Sequence, residues 1–192
     1  DPGGTFSNRP INSLRSIFLS WLPNTSANAD QRKGVLMNIL ETVPDISWDL
    51  LMQLLPRAHD HSSPTQRPVF REFNEPEVIT YAVVWDSQSF IVEQAVIRAG
   101  TEAGRWISLI ENMGQFPKSA FDRMVEGLSS ALYSLAGDVR FTIWDALRKE
   151  VNRHRSHAGA GWEISEEALT RIDSIVETYR PQSVIENCIW LF

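Results

Sequence analysis

The chain has 192 residues, is 43% hydrophobic and 22% charged, and so has the profile of a folded protein able to bury a core. A formal net charge of −6 argues against gripping a nucleic-acid backbone over the whole surface, which needs many Lys and Arg at phosphates, but leaves room for a local basic patch. Cys188 is the only cysteine, so no internal disulfide can form. No apolar run reaches the roughly 18 residues of a membrane span, and the opening DPGGTFSNRP lacks the form of a signal peptide; a cytoplasmic location without a membrane partner is expected.

Helical periodicity dominates from the start. Ile11, Leu14, Ile17, Phe18 and Trp21 recur at steps of three and four until Pro23. Asp30 is suited to cap a second helix carrying Leu36, Ile39, Leu40 and Val43. Pro44 fits the first turn of a third, with Ile46, Leu50, Leu51, Leu54 and Leu55, ended by Pro56. Residues 56–76 then form a long polar loop with Pro56, Pro64, Pro68 and Pro76. A loop of about 20 residues is unusual in a compact domain and is often functional or covered by a partner. Val78, Ala82, Trp85, Val92, Val96 and Ala99 make the next stripe, ended by Gly100, and DSQS at 86–89 leaves open whether it is one helix or two.

Trp106, Leu109, Ile110 and Met113 follow, ended by Gly114. A long helix then starts at Pro117 and Ser119, carries Phe121, Met124, Val125, Leu128, Leu132 and Leu135, and ends at Gly137. Asp138 is the expected cap of another, with Ile143, Trp144, Leu147 and Val151, broken by SHAGAG. Ser165 is the expected cap of a helix bearing Leu169, Ile172, Val176 and Tyr179, with Glu166 and Glu167 at its positive end. A last helix is expected from Ser183 through Cys188 to Phe192. The pattern predicts an all-α fold: an irregular antiparallel, solenoid-like array of about nine helices over residues 1–192, without a fixed repeat. The chain stops at CIWLF within an apolar pattern, so a piece of a larger protein is expected.

The four histidines, His59, His61, His154 and His157, sit in two Arg-bearing stretches, PRAHDHSSPTQRP and NRHRSHAGAGW. Their H-x-H and H-x-x-H spacings offer nitrogen ligands to zinc, but they match neither H-E-x-x-H nor a zinc-finger pattern, and Cys188 falls in an apolar run. No metal and no cofactor are therefore expected, and replacing all four histidines by Ala is expected to leave metal content and folding unchanged. Arg57, Arg67, Arg71, Arg148, Arg153 and Arg155 surround these histidines. Arg suits bidentate binding of phosphate or carboxylate; the plainer reading is that RKEVNRHR answers the negative end of its helix and that other arginines pair with Glu72, Glu75 or Glu77. No G-x-S-x-G and no phosphate-binding Gly-rich loop occurs, so no catalytic residue is assigned. The seven tryptophans fall about one per element and read as core anchors, except that Trp48, off the apolar stripe of its helix, is the expected interface residue.

Three phrases, FLSWLPNTSANADQRKGVL, WDLLMQLLPRAHDHSSPTQRPVFREF and LRKEVNRHRSHAGAGW, followed by the closing IWLF, together resemble the helical region downstream of the effector and nucleotide-binding parts in very large bacterial conflict proteins, including STAND-type antiviral NTPases. The resemblance implies a sensor or scaffold piece whose catalytic parts lie elsewhere in the parent chain, and it carries over no site residue. The expected function is non-catalytic: a protein-interaction, sensing or assembly module whose partner is a protein or other domains of the parent chain. The alternative is a nucleic-acid- or phosphate-binding or enzymatic domain using loops 56–71 and 148–157. The binding candidates are Arg57, His59, His61, Arg67, Arg71, Arg148, Arg153, His154, Arg155, His157 and Trp48.

Overall fold

The computed structural model describes residues 9–64, 76–135, 137–156 and 164–183. Within them the protein is all-helical, as the periodicity predicts: α1 (Pro10–Phe18), α2 (Ala29–Thr42), α3 (Pro44–Leu54), α4 (Tyr81–Ala99), α5 (Ala103–Asn112), α6 (Lys118–Ser134), α7 (Gly137–Ser156) and α8 (Glu166–Thr178), with a 3₁₀ turn at Met113–Gln115. The helix expected from Ser183 to Phe192 lies almost wholly outside the described residues. The chain divides into two compact units, Asp1–Ala95 and Val96–Phe192.

Local chemistry explains the boundaries. Pro44 occupies the first turn of α3, where its missing N–H costs nothing. Ser165 caps α8, its hydroxyl accepting from Ala168 N at 3.3 Å. The cap of α2 is Asn28 rather than Asp30: Asn28 Oδ1 accepts from Gln31 N while Gln31 Oε1 accepts from Asn28 N, a reciprocal capping box. Asp30 sits in the first turn of α2, and Asp138, likewise expected as a cap, sits in the first turn of α7, where their charges still suit the helix dipole. α1 ends at Phe18, short of Trp21. Gly100 closes α4 with φ +52° and Gly137 stands at φ +60°, a backbone region that glycine enters without a Cβ penalty. DSQS does not split α4, which runs unbroken through it.

In the first unit α1, α2 and α3 pack on one another, burying Phe18, Leu36, Leu40, Leu50, Leu51 and Leu54. Each such side chain contributes about 1.5–3 kcal/mol by leaving water. In the second unit α7 packs on α5, α6 and α8, and Trp106, Leu109, Met124, Leu128, Ile143, Leu147 and Ile172 are buried. Two indoles anchor this unit through both ring and N–H, the arrangement a buried Trp needs: Trp106 Nε1 donates to Gly100 O at 3.0 Å and Trp144 Nε1 to Val176 O at 2.8 Å.

The stripe predicted for α4 is buried only in its second half. Of its residues Val92 and Ala99 are core, with Ile91 and Ala95 beside them, and Val96 is half-buried, whereas Val78, Ala82 and Trp85 are exposed, and Val78 precedes the helix.

Candidate functional site

The loop after α3 is organised by Asp60, not by its histidines. The Asp60 carboxylate pairs with Arg15 of α1, accepts from Trp21 Nε1 at 3.1 Å and accepts from His61 N at 3.0 Å. Arg15 is itself steered by donating Nε to Gln53 O at 3.1 Å. With both side chains about 15% exposed, this is a charge-assisted clamp holding the loop against α1 and α3. His59 and His61, on either side of Asp60, point to solvent. Arg57 is exposed and donates to Met52 O in the last turn of α3 at 3.2 Å, satisfying a carbonyl at the negative end of that helix. Arg67 and Arg71, with Glu72 and Glu75, lie outside the described residues. Glu77 pairs with Arg32 of α2.

The second predicted cluster lies on α7 in the other unit, and its cations are matched by carboxylates. Arg148 and Lys149 share Asp145, at 2.8 and 2.7 Å. Arg153 forks onto Glu150, and Arg155 pairs with Asp173 of α8. Burial works to raise the pKa of Asp145, but hydrogen bonds and charge from Lys149 and Arg148 prevail and hold it below the usual carboxylate range. Arg153 is raised by its hydrogen bonds to Glu150, against burial, with further help from the charges of Glu150 and Glu111. Arg148, Asn152 and Arg155 line a groove of about 210 Å³ against Asp173, Glu177 and Arg180 of α8 and its end. An anion entering it would have to displace carboxylates already in place.

His154 corrects the expectation of a surface binding residue at the basic end of its helix. It lies in the last turn of α7 and is 0% exposed, with Nε2 3.2 Å from Glu150 Oε1. Replacing it by Ala would empty core volume, so the four-histidine substitution is not neutral for folding. His157 and Trp162 lie outside the described residues, as do Cys188 and Trp190. Among the described residues no three His, Cys, Asp or Glu side chains cluster as metal ligands would, and no helix is long and apolar enough to cross a membrane.

The feature that periodicity did not flag as a site is the start of α4. Val78, Tyr81 and Trp85 are 80%, 78% and 55% exposed. The Tyr81 and Trp85 rings, one helical turn apart, lie 5.8 Å centre to centre at 33°. Trp48, the expected interface residue, is half-buried, and Trp85 is the exposed tryptophan among the described ones. Ion pairs to α2 hold this face. Glu77 accepts from Ala29 N at 2.8 Å and pairs with Arg32, while Lys33 pairs with Asp86 and lies 5.7 Å from the Phe90 ring centre. Burial pulls the Arg32 pKa down and the contact with Glu77 opposes it, the balance expected of a guanidinium that is only 6% exposed. The outcome is a small apolar surface, rigid from below and rimmed by charges that are already paired.

Compared with protein-family models, with curated proteins and with solved structures, the chain matches none.

Proposed function

We propose that the protein is a non-catalytic interaction module, and that it docks an apolar helix face of a protein partner onto Val78, Tyr81 and Trp85. The observation that carries this reading is the adjacent, tilted and exposed Tyr81–Trp85 ring pair on a helix clamped to α2. Aromatic residues are the enriched anchors of protein interfaces, and they bind best when a fixed scaffold removes the cost of ordering them. A polar rim with its charges already paired, Glu77 to Arg32 and Asp86 to Lys33, avoids stranding an unpaired charge on burial. The spacing of Tyr81 and Trp85 along one face of α4 fits the groove of a second helix.

The resemblance of the sequence to helical regions of large bacterial conflict proteins supports placing the module in such a parent, as sensor or scaffold for an antiviral response, in the cytoplasm. The alternative, nucleic-acid or phosphate binding through the Arg-rich stretches, is not favoured, because Arg148, Arg153 and Arg155 are engaged by Asp145, Glu150 and Asp173.

The test is affinity against the purified remainder of the parent chain or proteins encoded beside it. Tyr81→Ala and Trp85→Ala should each weaken a saturable complex about tenfold or more, as anchor residues do, without shifting thermal unfolding. Full affinity in the double variant would sink the reading.

A further inference from the structure

We propose a second, independent site in the other unit: a cleft at the start of α7 that takes a small monocarboxylate with an apolar or aromatic body. The cleft, about 480 Å³, lies between Gly137, Arg140 and Phe141 of α7 and Thr178, Arg180 and Pro181 at the end of α8. That volume falls within the range of small-molecule pockets.

Arg140 is the residue that gives the cleft its chemistry. Its Nε donates to Leu135 O at 2.6 Å, which fixes the guanidinium plane and leaves the terminal nitrogens for a ligand. Among the described residues no carboxylate lies within ion-pair distance of it, unlike Arg148, Arg153, Arg155, Arg171 and Arg180 of the same unit. A fixed, half-buried guanidinium is suited to bidentate capture of a planar carboxylate. Charge sets the valence of the ligand. Arg180 is offset by Glu177 at 3.4 Å, so among the described residues lining the cleft Arg140 supplies roughly one uncompensated positive charge, enough for a monoanion and too little for a phosphate dianion. The walls set its body. Phe141 is held 5.9 Å from Trp144, ring centre to ring centre, and Tyr179 is tied by its hydroxyl to Ser129 O at 3.2 Å. With Pro181 these give firm apolar surfaces beside the charged head.

The experiment is a nuclear magnetic resonance titration of the full chain with 3-phenylpropionate, with 3-phenylpropanamide as neutral isostere and with inorganic phosphate. Saturable shifts at Gly137, Phe141 and Thr178 are expected with the carboxylate, with the amide at least about tenfold weaker and phosphate weaker still. Arg140→Gln should lose the carboxylate preference, while Arg57→Gln keeps it. The amide comparison uses the unaltered protein, so it decides the matter even if Arg140→Gln unfolds. No saturable binding, equal binding of acid and amide, or shifts confined to other residues would overturn the site; tighter binding of phosphate would overturn the monocarboxylate assignment.

Discussion

Gly127 in α6 is a glycine that the packing requires. A Cβ built there would lie 2.4 Å from Val96 Cγ1 and 3.4 Å from Trp106 Cη2. The first distance is roughly 1 Å short of an ordinary carbon contact of about 3.5 Å. Neither neighbour yields cheaply. Val96 is β-branched and stiff on its helix, and Trp106 is 2% exposed with its N–H bound to Gly100 O. Overpacking of this kind costs about 1–3 kcal/mol, whereas exchanging Gly for Ala within a helix returns about 0.8–1 kcal/mol. With the clash at the severe end, Gly127→Ala is expected to destabilise the protein by about 1–2 kcal/mol net. At roughly 4–8 °C per kcal/mol for a unit of this size, the melting temperature should fall by at least about 4 °C. Urea unfolding followed by tryptophan fluorescence measures it. Two controls isolate the cause. Gly34→Ala, at a helical position with nothing within 4 Å of the new methyl, should be neutral or stabilising. Adding Val96→Ala to Gly127→Ala should recover about 1 kcal/mol relative to additivity. A Gly127→Ala protein as stable as the parent, or two substitutions that simply add, would refute the close approach.

Other outcomes follow from the loop clamp and from α7. Asp60→Ala should cost about 2–3 kcal/mol in urea unfolding, because it strands Arg15 and the Trp21 N–H; His59→Ala and His61→Ala, on exposed side chains, should stay within about 0.5 kcal/mol. His154→Ala should cost about 2 kcal/mol or more, since the ring is wholly buried, and a neutral result would contradict its placement. Asp145 has a folded pKa below its unfolded value, so its ionised form stabilises the fold above the unfolded pKa and that contribution is lost as pH falls through the folded one. The stability gap between the parent protein and Asp145→Asn should therefore be full at neutral pH and close on acidification; a gap that persists or widens in acid would refute the pairing with Arg148 and Lys149.

Helix type and most boundaries were legible because they rest on local chemistry: Pro44 in a first turn, Ser165 as a cap and Gly100 as a stop. The misreading of Asp30 shows the limit of a one-residue rule, since the Asn28–Gln31 pair carries the three-residue spacing of a capping box. His154 also had a signal. It continues the face of Ile143, Leu147 and Val151 at steps of three and four, and Glu150 one turn earlier supplies the polar contact. Its basic neighbours suggested a solvated binding residue, and its position on the apolar face of the helix outweighed them. The exposed aromatic pair was not legible in the same way. Periodicity tells which residues share a face; it does not tell whether another element covers that face. Val78 and Trp85 therefore read as core in the sequence and stand at the surface in the fold. The pairings of Arg155 with Asp173 and of Arg15 with Asp60 join residues far apart in the chain, which no spacing rule reaches.

The central claim is that the first turns of α4 form the binding face. The most direct measurement is amide hydrogen exchange of the protein with and without its purified partner. Protection on binding should concentrate in residues 76–90, with the loop at 55–64 and the Arg-bearing end of α7 unchanged. Protection at those Arg- and His-bearing stretches, with residues 76–90 unaltered, would contradict it.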